Sequence, residues 1–175
     1  MARTRRSSRR LPGKRMRAKA IALVVSLIIG ASGFLFLPGK VISVADGDTL
    51  TIMDSGGTVR KIRLYGIDCP ETRQAGGRAA ADFTHSLAFF SKVKVQQIDK
   101  DQYGRSVAVV ALEDGRVLNE ELLKNGHAWL YEAYCKTPRC LRWKVLEAQA
   151  RTGKRGLWKD KKPVPPWKWR KSNPR

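Results

Sequence analysis

Histidine and cysteine are scarce in this chain, two and three residues in 175. With His85 and His127 as the only imidazoles, a metal centre built on histidine is excluded, and both read as structural. Cys135 and Cys140 are separated by four residues with no second cysteine pair, which is poor spacing for zinc. Acids are also in short supply: 15 Asp and Glu face 35 Lys and Arg, a formal net charge of +20. An excess of that size implies attraction to polyanions, either phosphate backbones or anionic lipid surfaces. No internal repeat is present. The hydrophobic content of 42% nevertheless argues against wholesale disorder, and the length suits one core with extensions.

Acidic charge is absent altogether from residues 1–19, which hold nine Lys and Arg. The other 156 residues keep 26 basic against 15 acidic side chains, so both portions are cationic. Residues 20–39 then carry no charge at all. A run of that length spans a bilayer as a helix, and the cationic flank holds the N-terminus on the cytoplasmic side. The expectation is a basic cytoplasmic segment over 1–19, a transmembrane signal-anchor over 20–39, and a domain outside the cytoplasm, periplasmic or extracellular. The alternatives are a cleaved signal peptide, which makes the protein secreted, and a buried soluble helix. Phe34 to Leu37 continue the apolar stretch past the small residues Gly30 to Gly33, which favours the anchor. In an oxidising compartment three cysteines allow one internal pair at most, and Cys135 with Cys140 is the candidate disulfide; two free thiols are the alternative.

Downstream, residues 41–44 and 50–53 are short β-rich runs separated by Asp46-Gly-Asp48, the composition of a hairpin turn. Residues 59–67 form a third run with imperfect alternation. Residues 78–90 place Ala79, Phe83, Leu87 and Phe90 at helical spacing. Residues 93–98 and 107–112 read as strands, 117–125 as a helix stopped by Gly126, and 139–152 as a helix with Leu141, Val145, Leu146 and Ala150 on its apolar stripe. The order β-β-β-α-β-β-α-α predicts an α+β, mainly β domain over 40–158: a five-stranded OB-fold barrel with about three helices. Residues 159–175, rich in Pro, Trp and Lys, read as an extended strap whose Trp167 and Trp169 pack back on the domain or stack on nucleic-acid bases.

Carboxylates fall in two short stretches, Asp46 with Asp48 in one turn and Asp68 with Glu71 after the third strand, with Pro70 stiffening the second. Each alone reads as a solvated turn or loop. Together, a hairpin turn and a strand end of a small barrel bring four acids to where a hard, oxygen-seeking cation sits. Arg63 and Arg105 offer two guanidinium forks to a phosphate, or else are solvated strand residues as Arg60 and Lys61 are expected to be.

Asp46-Gly-Asp-Thr49, Arg63-Leu-Tyr-Gly-Ile-Asp-Cys-Pro-Glu71 and Tyr103-Gly-Arg105 closely resemble, in order and spacing, the active-site motifs of the staphylococcal nuclease (thermonuclease) family. The resemblance runs from about Val41 to Trp158 and includes Glu147-Ala-Gln-Ala150 and Gly156-Leu-Trp158. The tail Pro165-Pro-Trp-Lys-Trp-Arg170 is similar to that of exported bacterial relatives. The resemblance implies an OB-fold barrel and a Ca²⁺-dependent nuclease acting on DNA and/or RNA, single-stranded in preference. In it Asp48, Asp68 and the backbone carbonyl of Cys69 ligate Ca²⁺, and Asp46 supports the ion through water. Glu71 activates the attacking water, Arg63 and Arg105 bind the scissile phosphate and stabilise its five-coordinate transition state, and Tyr103 contacts a terminal phosphate. Cys69 stands where Thr is familiar, and an exposed thiol there makes activity redox-sensitive. Gln102 stands where Lys is expected, which bears on substrate preference. Tyr134 and Tyr131 are candidates for base stacking. The protein is expected to be a monomer. The competing reading is a catalytically inactive OB-fold nucleic-acid-binding module at the membrane; a membrane-surface structural protein accounts for only the first 40 residues.

Overall fold

The computed structural model describes residues 36–174, and the expected cytoplasmic segment and most of the expected membrane span lie outside them. Among the described residues no helix is long and apolar enough to cross a membrane. Phe36 to Gly39, the last residues of the uncharged run, open a strand instead.

Five strands close into a barrel: β1 (Phe36–Val44), β2 (Thr49–Asp54), β3 (Val59–Leu64), β5 (Lys92–Lys100) and β6 (Ser106–Leu112), in the order β1-β2-β3-β6-β5. All pairings are antiparallel except β3 with β6, which is parallel. With its helices this is an α+β domain whose barrel fits the OB fold. Alternation points Leu50, Ile52, Ile62 and Leu64 into the barrel, where each is essentially inaccessible to solvent. The intervening Thr49 and Arg63 stand on the outer face, directly opposite one another.

The expected third strand, 59–67, divides at Tyr65-Gly66. Gly66 takes φ 69°, and a Cβ there would lie 2.7 Å from Cys135 Sγ, so the turn admits only glycine. The chain leaves the barrel and forms β4 (Ile67–Asp68), which pairs with β7 (Trp129–Leu130) in a separate two-stranded sheet that no local sequence signal announced. Helix α1 (Gly77–Ala88) stops short of the expected end at Phe90. Phe90 lies beyond the helix at φ 58° and is 59% exposed.

Helices α2 (Leu118–Lys124) and α3 (Arg139–Thr152) pack against one another, α2 also on β6 of the barrel and α3 on β7. The apolar stripe expected on α3 is only half right: Leu141 and Val145 are exposed, while Trp143, Glu147 and Ala150 are buried. Trp143 decides the rotation of the helix, because burying its indole against Tyr65 and donating Nε1–H to Glu120 Oε1 at 3.1 Å outweighs two aliphatic side chains. Cys135 and Cys140 form a disulfide at the start of this helix, with Cα atoms 5.8 Å apart.

The tail is not an extended strap. After a short 3-10 turn (Gly156–Lys159) it forms α4 (Pro166–Ser172), a fourth helix, with proline at its first turn where the missing N–H costs nothing. Trp167 packs back on the domain, flat against Tyr131 at 4.9 Å and edge-on to Trp129 at 5.8 Å.

His127 stacks on Phe83 with ring centroids 4.4 Å apart, and burial lowers its pKa below the ordinary 6.5. The unfolded chain therefore binds this proton more readily than the folded one, so the contribution is complete above 6.5 and is lost as pH falls from there through the lowered folded value. The melting temperature is expected to drop as pH falls below about 7, and His127→Phe should flatten that dependence. An identical pH dependence in the variant would remove His127 as a cause.

Candidate functional site

The site is built where β2 begins, β3 ends and β4 leaves the barrel. Asp46 starts the turn before β2, its Oδ1 accepting the backbone N–H of Asp48 at 3.0 Å. Gly47 is pressed against the neighbouring loop and α1: a Cβ would meet the Cβ atoms of Cys69 at 2.7 Å and Ala80 at 2.8 Å. Its carbonyl accepts the Thr84 hydroxyl at 2.6 Å, so α1 holds the turn in place. Asp48 is thereby buried, 1% exposed, and its Oδ2 accepts the Cys69 N–H at 2.6 Å. Asp68, wholly buried, is fixed by its pairing with Trp129 across the β4–β7 sheet. That sheet is locked in turn by Glu147, whose Oε1 accepts the Leu130 N–H at 3.0 Å.

Two guanidinium groups neutralise these acids. Arg63 reaches from β3 to Asp48 Oδ1 with one nitrogen and to Asp68 Oδ1 at 2.6 Å with the other. Arg170, on α4, donates to Asp68 Oδ2 at 2.8 Å, Asp68 Oδ1 at 3.2 Å and Glu71 Oε1 at 3.0 Å. Buried carboxylates without such partners would be costly to keep ionised. Burial raises the pKa of Asp46, an effect that the charge of Arg63 partly offsets. Burial also works against the charge of Arg170, but hydrogen bonds and attraction from Asp68 and Glu71 prevail and raise its pKa.

Asp48, Asp68, Glu71, Arg63 and the Cys69 backbone thus meet, and Asp46 adjoins them. Cys69 contributes its main chain, but its thiol is buried rather than exposed, and burial pushes its pKa up, so the expected redox sensitivity loses its basis. Arg105 does not join the acids: its Nε donates to Asp101 Oδ2 at 2.7 Å and its guanidinium lies over the Tyr103 ring. It is nonetheless close in register, one residue before Ser106, which pairs with Ile62 next to Arg63. Tyr103 and Tyr134 are both largely exposed, and Tyr134 leans on Tyr131 with ring centroids 4.7 Å apart.

Among the described residues no group of three acidic, imidazole or thiol side chains is arranged to hold a metal ion. The physical reason is visible in the hydrogen bonds: Arg63, Arg170 and an amide take the oxygens of Asp48 and Asp68. The donor set itself is anionic and all oxygen, the chemistry a hard divalent cation requires, and the lone pairs facing the guanidinium groups are those a cation would take.

Sequence reasoning missed Arg170, the buried Gln74 that ties the Glu71 loop to the tail, and Asn119, which donates from the core to the carbonyl of Tyr65. For Arg170 there was a signal: Pro165-Pro-Trp-Lys-Trp starts a helix and supplies the indole that docks it.

Residues 61–160 match the family model described as staphylococcal nuclease homologue. A protein of Escherichia coli O157:H7 described as an uncharacterized endonuclease is 45% identical over 132 residues, 75% of this chain and 84% of its own. A Shigella flexneri protein described as micrococcal nuclease is 33% identical over 163 residues, 89% of this chain and 92% of its own. One from Haemophilus influenzae, also described as an uncharacterized endonuclease, is 35% identical over 132 residues, 75% and 72% of the two chains. A match over more than half of the chain, on a five-stranded barrel that brings Asp48 and Asp68 together on Arg63, makes the protein a member of the staphylococcal nuclease family.

Proposed function

We propose that this chain is a Ca²⁺-dependent nuclease that hydrolyses phosphodiester bonds in DNA and RNA, preferring single strands. The observation that carries the reading is the convergence of Asp48 and Asp68 on Arg63, with Glu71 joined to Asp68 through Arg170. Relatives described as nucleases support the same substrate class. A module that only binds nucleic acid has no use for a buried acid cluster that repels phosphate.

Asp48, Asp68 and the Cys69 carbonyl would hold Ca²⁺, with Asp46 acting through water; when bound, the ion supplies positive charge that draws in and polarises the phosphodiester. Glu71 accepts a proton from water as the water oxygen attacks phosphorus, one P–O ester bond breaks, and the departing alkoxide takes a proton from solvent. Arg63 donates to the oxygens on which charge accumulates. Arg105 reaches the phosphate once it leaves Asp101, and Tyr103 and Tyr134, exposed beside the site, offer contact to the nucleotides that flank the scissile bond.

Full-length protein supplied with Ca²⁺ is expected to degrade single-stranded DNA and RNA, excess chelator to stop it, and restored Ca²⁺ to revive it. Cleavage that persists in excess chelator would rule out the metal; binding without cleavage under all conditions would favour the inactive module. The uncharged run ending at residue 39 supports a domain held outside the cytoplasm. Protease added to spheroplasts, with any outer membrane removed, should therefore digest the domain, and full protection there would reverse that orientation.

A further inference from the structure

Among the described residues Arg170 is the one cation on the acid cluster that comes from outside the strands and turns of the barrel. Its Nη1 and the Nη2 of Arg63 share a single oxygen, Asp68 Oδ1, so the two forks flank one carboxylate. The same Arg170 nitrogen touches Glu71 Oε1 at 3.0 Å. This placement is built. Pro166 at the start of α4 is buried, and Trp167 lies flat on Tyr131 with an interplanar angle of 6°. Trp167 also meets Trp129, the residue that pairs with Asp68, so the anchor of the tail and the acid it serves share one small sheet. Gln74, buried in the loop after Glu71, donates to the Val164 carbonyl at 2.6 Å and ties that loop to the tail.

Beside Arg63, a further fork close to Glu71 would add a donor to the phosphodiester. Arg105 is held by Asp101, whereas Arg170 already stands at both Asp68 and Glu71. We propose that Arg170 is a phosphate-binding residue of the site: on substrate binding its guanidinium passes from Asp68 and Glu71 to a non-bridging oxygen of the phosphodiester. The proposal rests on the nuclease reading. The phosphate offers the guanidinium an anionic partner, and a planar fork suits phosphate oxygens. Because it grips the backbone and no base edge, Arg170 confers affinity without sequence preference.

The test compares full-length Glu71→Gln protein with and without Arg170→Ala, binding a fluorescein-labelled single-stranded oligothymidylate in Ca²⁺ across a salt series. Loss of one phosphate contact is expected to make the slope of log K against log salt shallower by about 0.7, with binding weaker at every salt concentration. In the Glu71→Gln background Arg170→Lys should keep the slope, since lysine still neutralises a phosphate, yet with Glu71 intact it should lower kcat by about 10²-fold for want of the fork. That variant also answers if the alanine variant fails to fold. Equal slopes with and without Arg170, or a kcat that rises when Arg170 is replaced, would overturn the proposal, the latter marking the tail as an inhibitory plug. If the Glu71→Gln protein still cleaves the probe, the general base is misassigned; the slopes measured on a cleavage-resistant phosphorothioate probe then decide Arg170 separately.

Discussion

Glu71→Gln is expected to lower the single-turnover cleavage rate by about 10²–10⁴-fold, which corresponds to roughly 3–5 kcal/mol of barrier. Glutamine has almost the same shape but its amide cannot accept a proton from water. The change should therefore act on chemistry and spare binding. Glu71 sits on the loop that follows β4 with its side chain 22% exposed, and glutamine fills the same space there. Arg170 retains Asp68 when Glu71 becomes neutral, and the site should stay assembled. Anisotropy measured on the same protein provides the control, with salt-sensitive affinity for single-stranded DNA preserved. Turnover within twofold of the parent would take the proton-acceptor role away from Glu71.

Arg63→Ala is expected to have two effects at once. Loss of one preorganised donor to the developing charge should reduce kcat by about 10²–10³-fold. It should also destabilise the fold by about 3 kcal/mol, because Asp48 and Asp68 are buried and each loses a guanidinium partner. The cost lies toward the lower end for such a break, since Asp48 keeps the Cys69 N–H and Asp68 keeps Arg170. Arg63→Lys should separate the effects: a point charge recovers part of the stability but cannot reach both acids and a phosphate as a planar fork does. Urea unfolding with cleavage kinetics on both variants is the measurement. An alanine variant with the parent's midpoint and turnover would show that the ion pairs have no such role.

Much of the barrel was legible beforehand because local chemistry and tertiary demand coincide there. Strands at 50–53, 93–98 and 107–112 are apolar runs bounded by turn residues, and each appears within a few residues of the expected bounds. The misreadings fall where partners distant in sequence decide. At 59–67 the imperfectly alternating β-rich run reads as one strand, and only the demand of Cys135 and Trp143 for space beside Gly66 breaks it into β3 and β4. On α3 the spacing of Leu141 and Val145 looked like a buried stripe, yet the aromatic Trp143 turned that face to solvent. The tail read as extended because proline dominates its composition, whereas Pro166 stands at the one helical position that tolerates it.

What the sequence determined by itself is the set of acids and arginines, their order along the chain and the barrel that carries them, since strand alternation, turn glycines and charged side chains act over a few residues. Only the tertiary structure decided which cations reach which acids. Arg105, two residues from Tyr103 in a recognised motif, pairs locally with Asp101, while Arg170, 102 residues after Asp68, completes the cluster. A buried carboxylate needs a partner within about 3 Å wherever the chain can deliver one, and that choice depends on packing in three dimensions, here Trp167 on Tyr131, and not on distance along the sequence.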